Sequence, residues 1–144
     1  MLPIHVLLVS IPPPVLVNDL SRLINNAEFS DITFLIEGKE VYANKAILSI
    51  RCEYFKVLLY SGGMRESLSD QPIEINDISY TVFSKILQYL YTDTIQELPL
   101  DLGIPLLIAS ERFMLDRLKS LCEDHISRTI TTNNVISIYI ASYR

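Results

Sequence analysis

Between Phe29 and Glu66 the spacing of apolar and polar residues changes period twice. Ile32, Phe34 and Ile36 alternate with Thr33 and Leu35, the period of a strand with one buried face. Glu37-Gly38-Lys39 supplies a reversal, and Val41-Tyr42 returns alongside, which predicts a hairpin. The period then lengthens. Asn44 is placed to cap a helix carrying Ala46, Ile47 and Ile50. A second helix has Tyr54, Phe55, Leu58 and Leu59 on one side and is stopped by Ser61-Gly62-Gly63.

Further along, Ser67 to Gln71 reads as polar loop, and Pro72 opens a short strand with Ile73 and Ile75 inward, ended by Asn76-Asp77. Ser79 caps the clearest helix of the chain, whose Val82, Phe83, Ile86, Leu87 and Leu90 share one face; it ends near Thr92-Asp93. Leu98 to Gly103 has a linker's composition. Pro105 fits only the first turn of a helix, which therefore starts near Ile104 and continues through Leu107, Ile108 and Arg112. The next helix carries Leu115, Leu118, Leu121, Cys122 and Ile126, and Thr132 or Asn133 caps a last one through Ala141. At the other end, Ile4 to Val9 is a β-branched run suited to a strand, and Pro12-Pro13-Pro14 forces an extended connector. Asn18 or Asp19 then caps a short helix with Leu20, Leu23 and Ile24 on one side and Val17 just before it.

Composition narrows the class. At 144 residues, 49% hydrophobic and 20% charged, the chain fits one globular domain. A net charge of -5 with dispersed Lys and Arg argues against nucleic acid as a partner. Leu2 to Ile11 has no cation before it and meets proline too soon to be a leader or to span a bilayer, so a soluble chain without membrane contact is expected. Cys52 and Cys122 are far apart and lack CxxC spacing, which suggests reduced thiols; with no Asn-x-Ser/Thr acceptor, a cytoplasmic or nuclear location is expected.

Chemistry finds little footing. His5 and His125 stand alone in their segments, without HExxH or a Cys/His cluster, so no metal, cofactor or catalytic set is expected. Gly62-Gly63 leads to Met64 and not to Lys-Ser/Thr, so it lacks the parts of a phosphate loop. Cys52 beside Arg51 admits a lowered thiol pKa, set against the simpler reading of a packed helix thiol.

The hairpin and paired helices resemble the BTB/POZ family. The resemblance rests on Ser30-Asp31-Ile32-Thr33-Phe34, Tyr42-Ala43-Asn44-Lys45-Ala46-Ile47-Leu48, Glu53-Tyr54-Phe55 with Leu58-Leu59, and Gly63-Met64-Arg65-Glu66-Ser67. Ile73-Glu74-Ile75, Phe83, Tyr89-Leu90-Tyr91-Thr92 and Leu118-Lys119-Leu121-Cys122 follow in the family's order. It covers roughly Glu28 to Ile130 and implies an α+β fold, a small mixed sheet flanked by helices and homodimeric.

The resemblance also implies surfaces. Val17, Leu20, Leu23 and Ile24 would meet a second copy, together with Ile4 and Val6 of a strand that pairs either within its own chain or across to the partner's sheet. Asp31 and Lys45 would line a pocket at the two-fold axis, although Asn44 replaces the family's usual His. Met64-Arg65-Glu66 matches the apolar-any-Glu triplet of cullin-3 adaptors, so Met64 and Glu66, with Tyr60 and Tyr91, would face the cullin. The domains expected are 1–27 (strand, connector and dimerisation helix), 28–130 (core) and 131–144, the start of a helical extension belonging to a longer protein. The expected function is a non-enzymatic substrate adaptor for a cullin-3 ubiquitin ligase, its substrate proteins held by domains outside this chain. One alternative is a scaffold or transcription-regulator dimerisation domain that recruits corepressors near Asp31 and Lys45; the other is a Cys52 enzyme, for which no histidine is brought into reach.

Overall fold

The computed structural model describes residues 8–61, 70–131 and 134–142. Strands β1 (Ile32–Ile36) and β2 (Lys39–Ala43) form an antiparallel hairpin, Ile32 opposite Ala43 and Ile36 opposite Lys39. Its turn residues, Glu37 and Gly38, have φ of 49° and 74°, the left-handed pair that a two-residue link between right-twisted strands requires. Gly38 adopts that conformation freely, whereas Glu37 is strained there. Helices α2 (Lys45–Arg51) and α3 (Glu53–Tyr60) follow, and β3 (Ile73–Glu74) then pairs parallel to β1, giving the order β2-β1-β3. β1 is central. Helices α4 (Tyr80–Thr92), α5 (Gly103–Arg112) and α6 (Asp116–Thr129) complete the core, with α1 (Leu16–Ser21) before the hairpin and α7 (Val135–Ser142) after it.

The core is built on four fully buried phenylalanines from four places in the chain. Phe34 of β1 meets Phe55 of α3 at 5.7 Å and Phe83 of α4 at 5.6 Å, and Phe113, between α5 and α6, stacks on Phe55 at 5.3 Å. The inward residues of α4 named from their spacing, Val82, Phe83, Ile86, Leu87 and Leu90, are all buried. Ser79 Oγ accepts the N–H of Val82 at 3.1 Å, and the Glu37 carboxylate accepts the N–H of Tyr80. Gly103 allows α5 and α6 to approach closely, since a Cβ there would lie 3.1 Å from Ile126 Cγ1.

The far end of α4 is tied to two other helices. Asp93 takes the left-handed C-cap conformation (φ 60°) and donates its N–H to Tyr89 O. Arg51 Nε donates to Leu90 O at 2.9 Å and Arg51 Nη2 to Asp93 Oδ1 at 2.6 Å, while Arg117 Nε meets Asp93 Oδ2 at 3.2 Å. α2, α4 and α6 thus converge on one carboxylate. The hydrogen bond from Arg51, together with both guanidinium charges, holds the Asp93 carboxyl below its ordinary pKa.

Several local expectations differ from the structure. Asn44 sits at the N-cap of α2 but its side chain does not cap; Asp31 Oδ1 accepts the N–H of Lys45 at 2.7 Å instead. Ile50 is 84% exposed and Leu48 is the buried residue of α2. Asn18 and Asp19 do not begin α1, because the helix starts two residues earlier at Leu16 and both lie inside it. It ends at Ser21, so Leu23 and Ile24 lie in the following turn, packed on the chain's own core. The stretch from Leu98 to Gly103 contains a 3-10 turn, Leu100–Leu102. Residues 4–7 of the expected first strand, and Thr132 and Asn133, lie outside the described residues, while Leu8 and Val9 are exposed and without strand structure.

Two outcomes follow for stability. Ser79→Ala removes a cap and is expected to cost about 1 kcal/mol in urea denaturation, with unchanged m. Because the folded pKa of Asp93 is depressed, its contribution is present above the unfolded aspartate value of about 3.9 and is lost as pH falls through the folded value. The melting-temperature gap between wild type and Asp93→Asn, a residue that also tolerates φ 60°, should be widest near neutral pH and close in acid. A gap independent of pH would assign the effect to packing.

Candidate interaction surfaces

Asp31 and Asn44 flank the hairpin, one just before β1 and the other just after β2, and the pairing of the strands brings them to the same end. There Asp31 Oδ1 accepts from Lys45 N, and Asn44 Nδ2 donates to Phe29 O. Tyr91 enters from α4: its Oη donates to Asn44 Oδ1 at 2.8 Å and accepts from Asn44 N at 2.9 Å. Burial pushes the Tyr91 hydroxyl up to about 12, so it remains a neutral donor. Asp31, Asn44, Lys45 and Tyr91 therefore form one junction. Asn44 satisfies both the loop before β1 and α4.

The family resemblance groups Tyr91 with Tyr60, but the fold separates them. Tyr91 is 3% exposed and offers a partner almost no surface in the single chain, whereas Tyr60 is 61% exposed at the end of α3. Helix α3 directs Phe55 and Leu59 inward, so Val57 and Tyr60 fall on the opposite side with Glu53 and Lys56, which pair at 3.5 Å. Met64 and Glu66 lie outside the described residues. Val57 escaped the sequence reading, which followed only the apolar residues of the buried stripe. The signal was present in the three-residue step from Val57 to Tyr60.

The N-terminal surface divides as well. Val17 is 52% exposed, with Val15 and Leu16 exposed beside it, while Leu20, Leu23 and Ile24 are half-buried. Ile4 and Val6 lie outside the described residues. The Val15-Leu16-Val17 run was the available sequence signal for the two further exposed residues.

The cysteines are core groups. Cys52 is buried and its Sγ donates to Phe113 O at 3.3 Å; burial raises its pKa, the reverse of the activation that neighbouring Arg51 suggested. Burial pushes Cys122 up to about 11. His125 borders a cleft with Asp93, Glu97 and Arg117, and its Nε2 has no hydrogen-bond partner among the described residues. His5 lies outside the described residues. No group of three metal-ligating side chains occurs among the described residues, nor does any helix there have the length and apolarity to cross a membrane.

Known proteins share this arrangement. The BTB/POZ domain family profile matches residues 20–130. An ARM repeat protein interacting with ABF2, from Arabidopsis thaliana, is 34% identical over 118 residues, which is 82% of this chain and 16% of that protein. An ankyrin repeat, bromo and BTB domain-containing protein of Dictyostelium discoideum is 35% identical over 118 residues, 77% of this chain and 14% of that one. The chain thus spans a small fraction of the curated relatives it matches. Among solved structures, the BTB domain of human gigaxonin superposes with a TM-score of 0.63 at 26% identity, covering 81% of this chain and 96% of that domain. The BTB domain of zebrafish PATZ1 does so at 0.60 and 23% identity, covering 83% and 100%. From its hairpin to its α6 helix, the chain belongs to the BTB/POZ domain family, a family of non-enzymatic protein–protein interaction modules.

Proposed function

We propose that this domain homodimerises and serves as a substrate adaptor for a cullin-3 ubiquitin ligase. The observation that carries the reading is that large apolar side chains remain at the surface of α1 and α3 although the core is full. Val15, Leu16 and Val17 form one such patch, continuous in sequence with the apolar segment holding Ile4 and Val6. Burying each side chain contributes roughly 1.5–3 kcal/mol, so this segment, with the half-buried Leu20, Leu23 and Ile24 after it, supports association of two copies. Asp31 and Lys45 stand near the proposed two-fold axis. The second patch, Val57 and Tyr60, leads directly into Met64-Arg65-Glu66. Met64 supplies an adaptable apolar plug for the cullin's helices, and Glu66 a carboxylate that orients the contact.

Substrate proteins are held, in this reading, by domains outside this chain. The ARM, ankyrin and bromo segments in the names of the relatives illustrate such parts. Two linked substrate sites would then raise effective affinity by avidity. The corepressor alternative draws on Asp31 and Lys45, and it is weakened because Asp31 already caps α2. In this reading the domain performs no chemistry and works in the cytoplasm or nucleus.

Light scattering is expected to give the mass of a dimer, and Leu16→Asp with Val17→Asp a monomer with unchanged circular dichroism; a monomeric wild type at all concentrations removes the dimer. Met64→Ala with Glu66→Lys is expected to weaken binding of a cullin-3 N-terminal fragment by about 2 kcal/mol, roughly thirtyfold, in calorimetry. Unchanged affinity would show that the loop is not the contact.

A further inference from the structure

A cleft separates the N-terminal end of α4 from α5, with a volume of about 440 Å³, and none of its lining residues belongs to the dimer or cullin surfaces proposed above. Its apolar wall includes Val82, Leu102, Pro105 and Ile108. Ile108 is 62% exposed on a helix whose other side is packed against the core. That volume lies in the range of specific binding pockets and holds two or three side chains.

The rim carries two carboxylates and one guanidinium, a net of one negative charge. Asp77 and Asp101 both border the cleft, and among the described residues neither carboxylate has a hydrogen bond or ion pair. The cation beside them, Arg112, is already engaged: its Nη1 donates to Asn76 O at 2.8 Å and lies 3.4 Å from Asp77 O. It anchors the loop before α4 and keeps its positive charge, so it offsets one of the two carboxylates without pairing with either. An apolar slot whose edge carries two carboxylates to one guanidinium favours an occupant that is apolar and adds one further cation.

We infer that the cleft between α4 and α5 is a docking site for a short peptide segment in which an arginine or lysine adjoins aliphatic side chains. The aliphatic groups cover Ile108 and Val82, and the cation lies over Asp77 and Asp101. The site would give the domain a third protein contact, usable while the other two are occupied.

The test uses the 144-residue chain and two labelled eight-residue peptides, one alternating leucine with arginine and one with glutamate in place of arginine. The arginine peptide is expected to shift the amide resonances of Val82 and Ile108 and to bind at least about tenfold more tightly than its counterpart by fluorescence polarisation. Asp77→Asn with Asp101→Asn should weaken it by about fivefold to tenfold, as should high salt. Asparagine keeps the left-handed turn at position 77, where φ is 62°. Ile108→Lys should abolish binding with an unchanged melting temperature. Equal affinity for the two peptides, shifts mapped elsewhere, or no binding overturns the site. A change of oligomeric mass in Ile108→Lys would instead assign this face to a second copy and equally overturn it.

Discussion

Four phenylalanine rings meeting in a dry core constrain almost everything else in this domain. Phe34, Phe55, Phe83 and Phe113 come from β1, α3, α4 and the junction of α5 with α6, so their contact fixes four elements against one another. Each buried ring contributes roughly 1.5–3 kcal/mol by leaving water, and edge or stacked contact adds about 0.5–1.5 kcal/mol. Those figures rival the net stability of a whole domain, about 5–15 kcal/mol. The ion pairs rank lower. Arg117 and Asp93 are both well exposed, a setting in which such pairs are worth at most about 1 kcal/mol, so the more consequential act of that cluster is Arg51 satisfying the carbonyl of Leu90 at the end of α4.

The exposed apolar faces proposed for interaction are what remains once those rings have been placed. Directing Phe55 and Leu59 inward turns Val57 and Tyr60 outward, and packing Leu23 and Ile24 on the core leaves Val15 to Val17 uncovered. No separate device is needed to hold the surfaces in position. Their rigidity is inherited from the core, which suits a module that must present the same contours to other proteins repeatedly.

Periodicity made most of the architecture legible. The alternation of Ile32, Phe34 and Ile36 and the helical stripe of Val82 to Leu90 name their buried faces directly, because burial on one side leaves its period in the residue types. Capping was harder to read. Asn44 has the right chemistry at the right position, yet Asp31 caps α2 because strand pairing carries it there from fourteen residues earlier. Likewise Tyr91 belongs to an apolar stretch like its neighbours, and only the tertiary fold shows that its hydroxyl is spent on Asn44. Leu23 and Ile24 follow a helical rhythm beyond the helix that ends at Ser21, since packing on the core is served equally well by a turn. Long-range polar partners leave no local trace in sequence; apolar stripes do.

Glu37 shows how one such long-range partner limits change. At φ 49° the turn favours asparagine or glycine, either of which would relax the hairpin tip. Asparagine's side chain is shorter and glycine has none, so neither stands in for a glutamate whose carboxylate reaches the first N–H of a helix forty-three residues later. An innovation at this position must therefore sacrifice one end of the molecule to improve the other, and the route to a better turn passes through a compensating change at Ser79 or Tyr80. Two places that look unrelated in the linear chain are bound to drift together or not at all.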